Sequence, residues 1–282
     1  MIWHTKISEM IGCKYPILLG AFAGYDNSIL TAKISDVGAF GVLTASAFET
    51  IDEFKNAILR IKEETKNPFG INFSSTVDIN PDHIFYKYLK IAQDEGVKTI
   101  ITAASKIETF GKQIKEYGLN WIHKVTTMRH AISGEKMGAD AVILTGLEGG
   151  GLKSPNQNTF LVNMVNAKKL INIPVIASGG LSDGKSILAA LVLGAEGVHM
   201  CTAFLATFES PIPDSWKEKI IAANCFDSKF IQKIYHFEKP EPKYVNMSMA
   251  VGTINKIITV KEFINNIINE AEILVKKLCN NK

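Results

Sequence analysis

The stretch with the most chemical potential in this chain is 173–207, IPVIASGGLSDGKSILAALVLGAEGVHMCTAFLAT. Gly179 and Gly180 lack a Cβ, so bare backbone N–H groups there can approach a ligand, and the N-terminus of the helix that follows favours an anion. Two strands that end at Ser178 and Met200 bring Ser178-Gly179-Gly180 beside Cys201-Thr202, and together these residues read as a phosphate clamp. The plainer alternative is a Gly-Gly turn that only joins strand to helix. Lys124 ends another apolar strand. There it supplies positive charge to an electron-rich ring, or an amine for a Schiff base, or it simply snorkels to solvent. Asn72 carries both a donor and an acceptor for an amide or imide edge, or else it closes an Asx turn. His123 and His199 alternate with their neighbours and each reads as a core histidine facing a helix layer, a reading we prefer for His123. Gly20-Ala21-Phe22-Ala23-Gly24 would let a planar ring lie against backbone, and Gly149-Gly150-Gly151 after Thr145 makes a pliable loop.

These residues need a scaffold that gathers strand ends. Short apolar runs alternate with amphipathic stretches along the whole chain, as βα units require. Strands are expected at Ile17–Leu19, Gly41–Thr44, Phe69–Asn72, Thr99–Thr102, Trp121–Lys124, Ala141–Thr145, Val175–Ser178 and Gly197–Met200. Helices are expected at Ser28–Val37, Ile51–Thr65, Pro81–Glu95, Lys106–Tyr117, Met128–Met137, Phe160–Leu170 and Gly184–Leu193. Several close on a glycine C-cap, at Gly38, Gly96, Gly138 and Gly194. The strand count and the phosphate site after the last two strands favour a closed (β/α)8 TIM barrel over a doubly wound sheet, with functional groups at the strand C-termini. After Thr207 the pattern lapses. Asp214–Ala223 reads as a short helix with Asp214 as its N-cap, 208–252 as an irregular cap over the barrel mouth or an idle surface excursion, and Val260–Leu278 as a closing helix.

Composition narrows the partners. The 282 residues, 46% of them hydrophobic, suffice for one barrel domain spanning 1–282. The 31 basic and 28 acidic residues are interspersed and net +3, so no basic stripe tracks a nucleic acid. Cys13, Cys201, Cys225 and Cys279 form no C-x-x-C pair, which points to free thiols and to no metal site. With no signal-like N-terminus and no apolar run long enough to span a bilayer, the expected location is the cytoplasm, without a membrane partner. A homodimer is compatible with the sequence.

The segments YPILLGAFAG, NPFGINF, HKVTT, GADAVILTGLEGGG, IPVIASGGLSDG and GAEGVHMCTAFLAT, in that order, resemble the 2-nitropropane dioxygenase-like group of FMN-dependent barrels. That group holds nitronate monooxygenases and flavin-dependent enoyl-acyl-carrier-protein reductases. The resemblance covers roughly residues 5 to 275 and implies non-covalent FMN. On this likeness Gly20, Ala21 and Phe22 back the ring, Asn72 and Lys124 meet its pyrimidine edge, and Thr145 and Gly150 line the site. Ser178, Gly179, Gly180, Cys201 and Thr202 hold the phosphate. The chain also departs from the group, whose strand-six loop reads G-x-E-A-G-G-H, because Leu152 stands in place of the proton-handling histidine. No catalytic residue is therefore carried over; Lys153, Glu148 and Asn163, on or near that loop, are the polar candidates, with His123 of strand five beside them. The expected activity is an FMN-dependent oxidoreductase, reduced by NADH or NADPH and acting on a small molecule such as a nitronate. The alternatives are an enoyl-acyl-thioester reductase, a flavin-binding protein without turnover, and a flavin-free barrel using Lys124 as a Schiff base.

Overall fold

A computed structural model of the chain describes residues 2–75, 79–103, 107–151, 158–227, 230 and 247–280. Strands and helices alternate through β1 (Ile17–Leu19), α2 (Ser28–Asp36), β2 (Gly41–Thr44), α3 (Ile51–Glu64), β3 (Phe69–Ser74), α4 (Ile84–Asp94), β4 (Thr99–Ala103) and α5 (Glu108–Glu116). They continue through β5 (Asn120–Val125), α6 (Met128–Lys136), β6 (Ala141–Thr145), α7 (Phe160–Leu170), β7 (Val175–Ser178), α8 (Gly184–Val192) and β8 (Gly197–Met200). A short N-terminal helix, α1 (Lys6–Ile11), precedes them, while α9 (Thr202–Leu205), α10 (Asp214–Ile221) and a C-terminal helix, Val260–Asn280, follow.

All ladders are parallel, in the order β1-β8-β7-β6-β5-β4-β3-β2. The ring closes through Phe40, just before β2, which bridges to Leu18 by paired bonds: Leu19 N to Phe40 O at 3.0 Å and Phe40 N to Ile17 O at 2.9 Å. This (β/α)8 barrel excludes the doubly wound sheet, whose edge strands would stay apart. Five strands have the limits expected from sequence; β3, β4 and β5 run one or two residues longer because their ladders continue past the last apolar residue. Gly38, Gly96, Gly138 and Gly194 all sit at positive φ just past their helices.

Two short helices, α1 and α9, carry no periodic pattern long enough to announce them. The helix expected from Pro81 begins at Ile84, where the His83 ring accepts the Phe85 N–H. Asp214 is not an N-cap: Pro213 holds that position without a side-chain bond, and Asp214 lies in the first turn of α10. Most of the irregular segment at 224–250 lies outside the described residues. Among the described residues no helix is long and apolar enough to cross a membrane.

Register decides which side chains enter the barrel, since in-register residues of a parallel ladder share a face and successive residues alternate. Asn72 pairs with Ile101 and Ile101 with Ile122, which places Lys124 on the same face two residues later. Thr145 pairs with Ser178, and Ser178 with His199. The opposite face of β5 carries Trp121, which packs on Gly111 of α5, and His123, which packs on Gly134 of α6. That outer layer between sheet and helices is closely filled, with Trp121, Phe73 and Phe110 fully buried.

Candidate functional site

A cavity of about 500 Å³ opens at the C-terminal ends of the strands. That volume lies within the roughly 300–1,000 Å³ of cofactor and ligand pockets. Its wall is assembled from the loop after β1 (Ala21, Phe22, Ala23, Tyr25), the end of β3 (Ser74), Lys124 of β5, Thr145 of β6, Ser178 of β7 and His199 of β8. Loop residues Gly149, Gly150, Gly179, Gly180, Cys201 and Thr202 complete the polar side. Leu205, Ile212 and Trp216 complete an apolar side with Phe22 and Tyr25, and the Tyr25 and Trp216 rings meet edge to face at 6.1 Å.

Of the residues expected at the site, the structure places Ala21, Phe22, Lys124, Thr145, Gly150, Ser178, Gly179, Gly180, Cys201 and Thr202 on this wall. Gly20 and Asn72 lie behind the wall. Gly20 extends the β1 ladder, with its N–H bonded to Met200 O at 2.7 Å, and a Cβ there would stand 2.7 Å from the Cys201 Cβ. Its role is close packing under the β8 loop. Asn72 is buried, and its Oδ1 accepts the Ser74 hydroxyl at 2.6 Å, so Ser74 rather than Asn72 presents itself to the cavity.

The glycine turn has the geometry a clamp needs. Gly179 and Gly180 adopt φ of 109° and 72°, a left-handed backbone that side-chain-bearing residues avoid. The helix expected to lend its N-terminus is differently disposed. α8 starts only after Leu181-Ser182-Asp183, and its first amides are taken by carboxylates: Ser186 N by Asp183 at 2.8 Å and Gly184 N by Glu270 at 2.8 Å. An anion at this turn would thus be met by the loop amides themselves. Residues far along the chain brace it, with Ser248 N donating to Thr202 Oγ1 at 3.0 Å, Met249 N to Glu148 O at 2.9 Å, and Ser182 hydrogen-bonded to Thr253.

The electrostatics of the inner face are unbalanced. Burial pushes the Lys124 ammonium below its ordinary pKa, and Cys201 is the acidic group that opposes the shift. Burial raises the Cys201 thiol to about 11 despite the pull of Lys124, so it stays protonated near neutrality. His199 is driven well below its usual value, first by burial and then by the Lys124 charge. Its Nδ1 lies 3.1 Å from Ser178 Oγ, while Nε2, like Thr145 Oγ1, is buried without a hydrogen-bond partner. Both atoms belong to residues that line the cavity.

The proton-handling candidates sort differently. Glu148 turns its carboxylate to the start of α7, accepting Phe160 N at 2.9 and 3.2 Å. An acidic group suits that position at a helix N-terminus. His123 is buried in the helix layer, its Nδ1 2.9 Å from Thr102 Oγ1, and it titrates down at about 4, mainly through burial. Asn163 is buried on α7 with both amide atoms unpaired, away from the cavity wall. Lys153 and Leu152 lie outside the described residues. Among the described residues no group of His, Cys, Asp and Glu could hold a metal.

A sequence model described as nitronate monooxygenase matches residues 4–238. The chain belongs to the nitronate monooxygenase family. It is thereby an oxidoreductase-family barrel, and curated relatives agree. One is the (3aS,4S,5R,7aS)-5-hydroxy-7a-methyl-1-oxo-octahydro-1H-indene-4-carboxyl-CoA dehydrogenase of Mycobacterium tuberculosis, 34% identical over 78% of this chain and 61% of that protein. The chain spans about three fifths of the length of the first two curated relatives it matches. A probable nitronate monooxygenase of Staphylococcus aureus is 28% identical over 90% of this chain and 87% of its own length. Among solved structures, FabK from Thermotoga maritima superposes with a TM-score of 0.84 at 29% identity, covering 99% of both chains.

Within this nitronate monooxygenase-family site, sequence reading missed Ser74, Tyr25, Trp216, Ser248 and the inward orientation of His199. Ser74 follows the last apolar residue of β3, and Ser248 comes from a remote segment, so neither has a local signal. His199 had one: it shares parity with Cys201, which the sequence reading assigns to the phosphate clamp, whereas Val198 and Met200 share the other face.

Proposed function

We propose that the chain binds FMN in this cavity, as one barrel unit, and acts as a flavin-dependent oxidoreductase of the nitronate monooxygenase family. The observation that carries this reading is a cavity at the strand C-termini whose wall brings Lys124, Thr145 and His199 together beside the left-handed turn Gly179-Gly180. The residues fit the cofactor in kind. Amides of 179–180 and 201–202 suit a phosphate, the small residues Ala21 and Ala23 leave room for a planar ring, and the half-buried Lys124 ammonium suits its acceptor-rich edge. When bound, FMN supplies two-electron redox chemistry.

The chain's own residues do the rest. Lys124 favours negative charge at the ring edge, because a cation in a water-poor site acts far more strongly than in bulk water. Phe22, Tyr25, Leu205, Ile212 and Trp216 keep the substrate side apolar and offer no proton acceptor. Leu152 adds none. The substrate is accordingly a small molecule that arrives already ionised, such as a nitronate, with NADH or NADPH as reductant. A second reading, reduction of an acyl-thioester alkene, is favoured by the same apolar wall and by the end-to-end likeness to the Thermotoga FabK.

A visible spectrum of the purified protein followed by anaerobic addition of NADH and of NADPH tests the proposal. A flavin spectrum that bleaches with either nucleotide is the expected outcome. Colour without bleaching would leave a flavin-binding protein without turnover, and a colourless protein that takes up no added FMN would return Lys124 to the Schiff-base reading.

A further inference from the structure

Two rings on the apolar side of the cavity meet at a set angle. Tyr25, from the loop after β1, and Trp216, in the first turn of α10, both line the cavity and are half-buried. Their centroids lie 6.1 Å apart with the planes 76° from each other. Each ring is held through its chain neighbours. Asp26 accepts from the Arg60 guanidinium at 2.5 Å, and Asn27 is fully buried, with Nδ2 donating to Val42 O at 2.8 Å and Oδ1 accepting from Thr44 N at 3.0 Å. Trp216 N donates to Pro213 O at 2.8 Å, and Nζ of the buried Lys217 donates to Phe208 O at 3.3 Å. The pair is therefore arranged by the fold before any ligand arrives.

Rings at nearly right angles suit a third ring. A planar group laid offset and parallel to one of them stands edge-on to the other, and both arrangements favour aromatic pairs beyond the area they bury. A saturated tail of the same bulk gains the buried area alone. We propose that Tyr25 and Trp216 are the specificity-determining pair of this site, and that its substrate is a nitronate carrying an aromatic ring on the ionised carbon. This deepens the proposed function and rests on it. An aryl group delocalises the nitronate charge, so arylnitromethanes give up their proton in water far more readily than nitroalkanes do. Such a substrate arrives already ionised, as an apolar side that offers no base requires.

Phenylacetate and cyclohexylacetate test the inference on the flavin-loaded enzyme, since a carboxylate reproduces the shape and charge of a nitronate without reacting. Both carry one negative charge on nearly equal bulk, so their difference isolates the ring. Binding is read from the perturbed flavin spectrum and from tryptophan emission, because Trp3 and Trp121 are buried in the core while Trp216 lines the cavity. Phenylacetate is expected to bind about three- to tenfold tighter than cyclohexylacetate. Trp216→Leu and Tyr25→Leu are expected to abolish that preference with flavin content unchanged, and Trp216→Phe to keep most of it. In turnover, phenylnitromethane nitronate is expected to show a lower KM than the nitronate of (cyclohexyl)nitromethane. Equal binding of the two carboxylates, binding of neither, or a reversed KM order overturns the inference on wild-type protein alone and leaves the FMN reading standing. A preference that survives Trp216→Leu does the same, and flavin lost from that variant gives the pair to the cofactor and overturns the inference as well. Wild-type protein that takes up no FMN overturns both.

Discussion

His123 on β5 and His199 on β8 are the same residue type, each near the C-terminal end of a buried strand, each held through Nδ1 by a hydroxyl at 2.9 or 3.1 Å. Both are buried and both are kept neutral. Yet β5 turns His123 outward to α6, where Thr102 and Trp121 complete a closed network, with Trp121 Nε1 donating to Thr102 at 2.8 Å. β8 turns His199 inward, where nothing completes it. What distinguishes the two histidines is the face of the sheet they occupy, since burial and pKa direction are alike.

The comparison breaks most decisively if the cavity face is not a ligand site. Gly180→Val places a branched side chain at φ 72°, with its Cβ 3.0 Å from the Glu148 Cβ, on the turn that lines the cavity. Flavin content per folded protein, read from absorbance against circular dichroism, should fall to nothing; full flavin in a folded variant would move the anion elsewhere. On the other face, His123 should matter to stability alone. Its pKa falls from 6.5 to about 4 on folding, so the unfolded chain binds the extra proton between those values and stability declines as pH drops from 6.5 to 4. The loss should reach roughly 3 kcal/mol at pH 4 in urea titrations. His123→Gln should flatten that window while leaving flavin content as it was, and an equally steep window in the variant would assign the acid sensitivity to other groups. The smallest effect concerns Lys124 beside His199. Lys124→Met removes a half-buried cation from a site where negative charge develops, and the flavin midpoint potential should drop by about 30–60 mV, the two-electron equivalent of roughly 1.5–3 kcal/mol. An unchanged potential would mean that Lys124 does not act on the ring.

Much of the barrel could be read directly from the amino-acid order. Strands such as Ala141–Thr145 and Val175–Ser178 are short apolar runs closed by a polar residue, and the glycines at 38, 96, 138 and 194 mark the helix ends by a backbone preference that is local in origin. The glycine turn at 179–180 and the lysine ending β5 were legible for the same reason, since their meaning comes from residue type and strand end. The inward face of His199, the relay of Asn72 through Ser74, the diversion of Glu148 to the start of α7, and the bracing of Thr202 by Ser248 were decided by tertiary structure. A strand buried on both sides carries no polar side to mark inside from outside. Only the register of its neighbours around the closed ring fixes which alternate residues reach the cavity, and only folding brings residue 248 to residue 202.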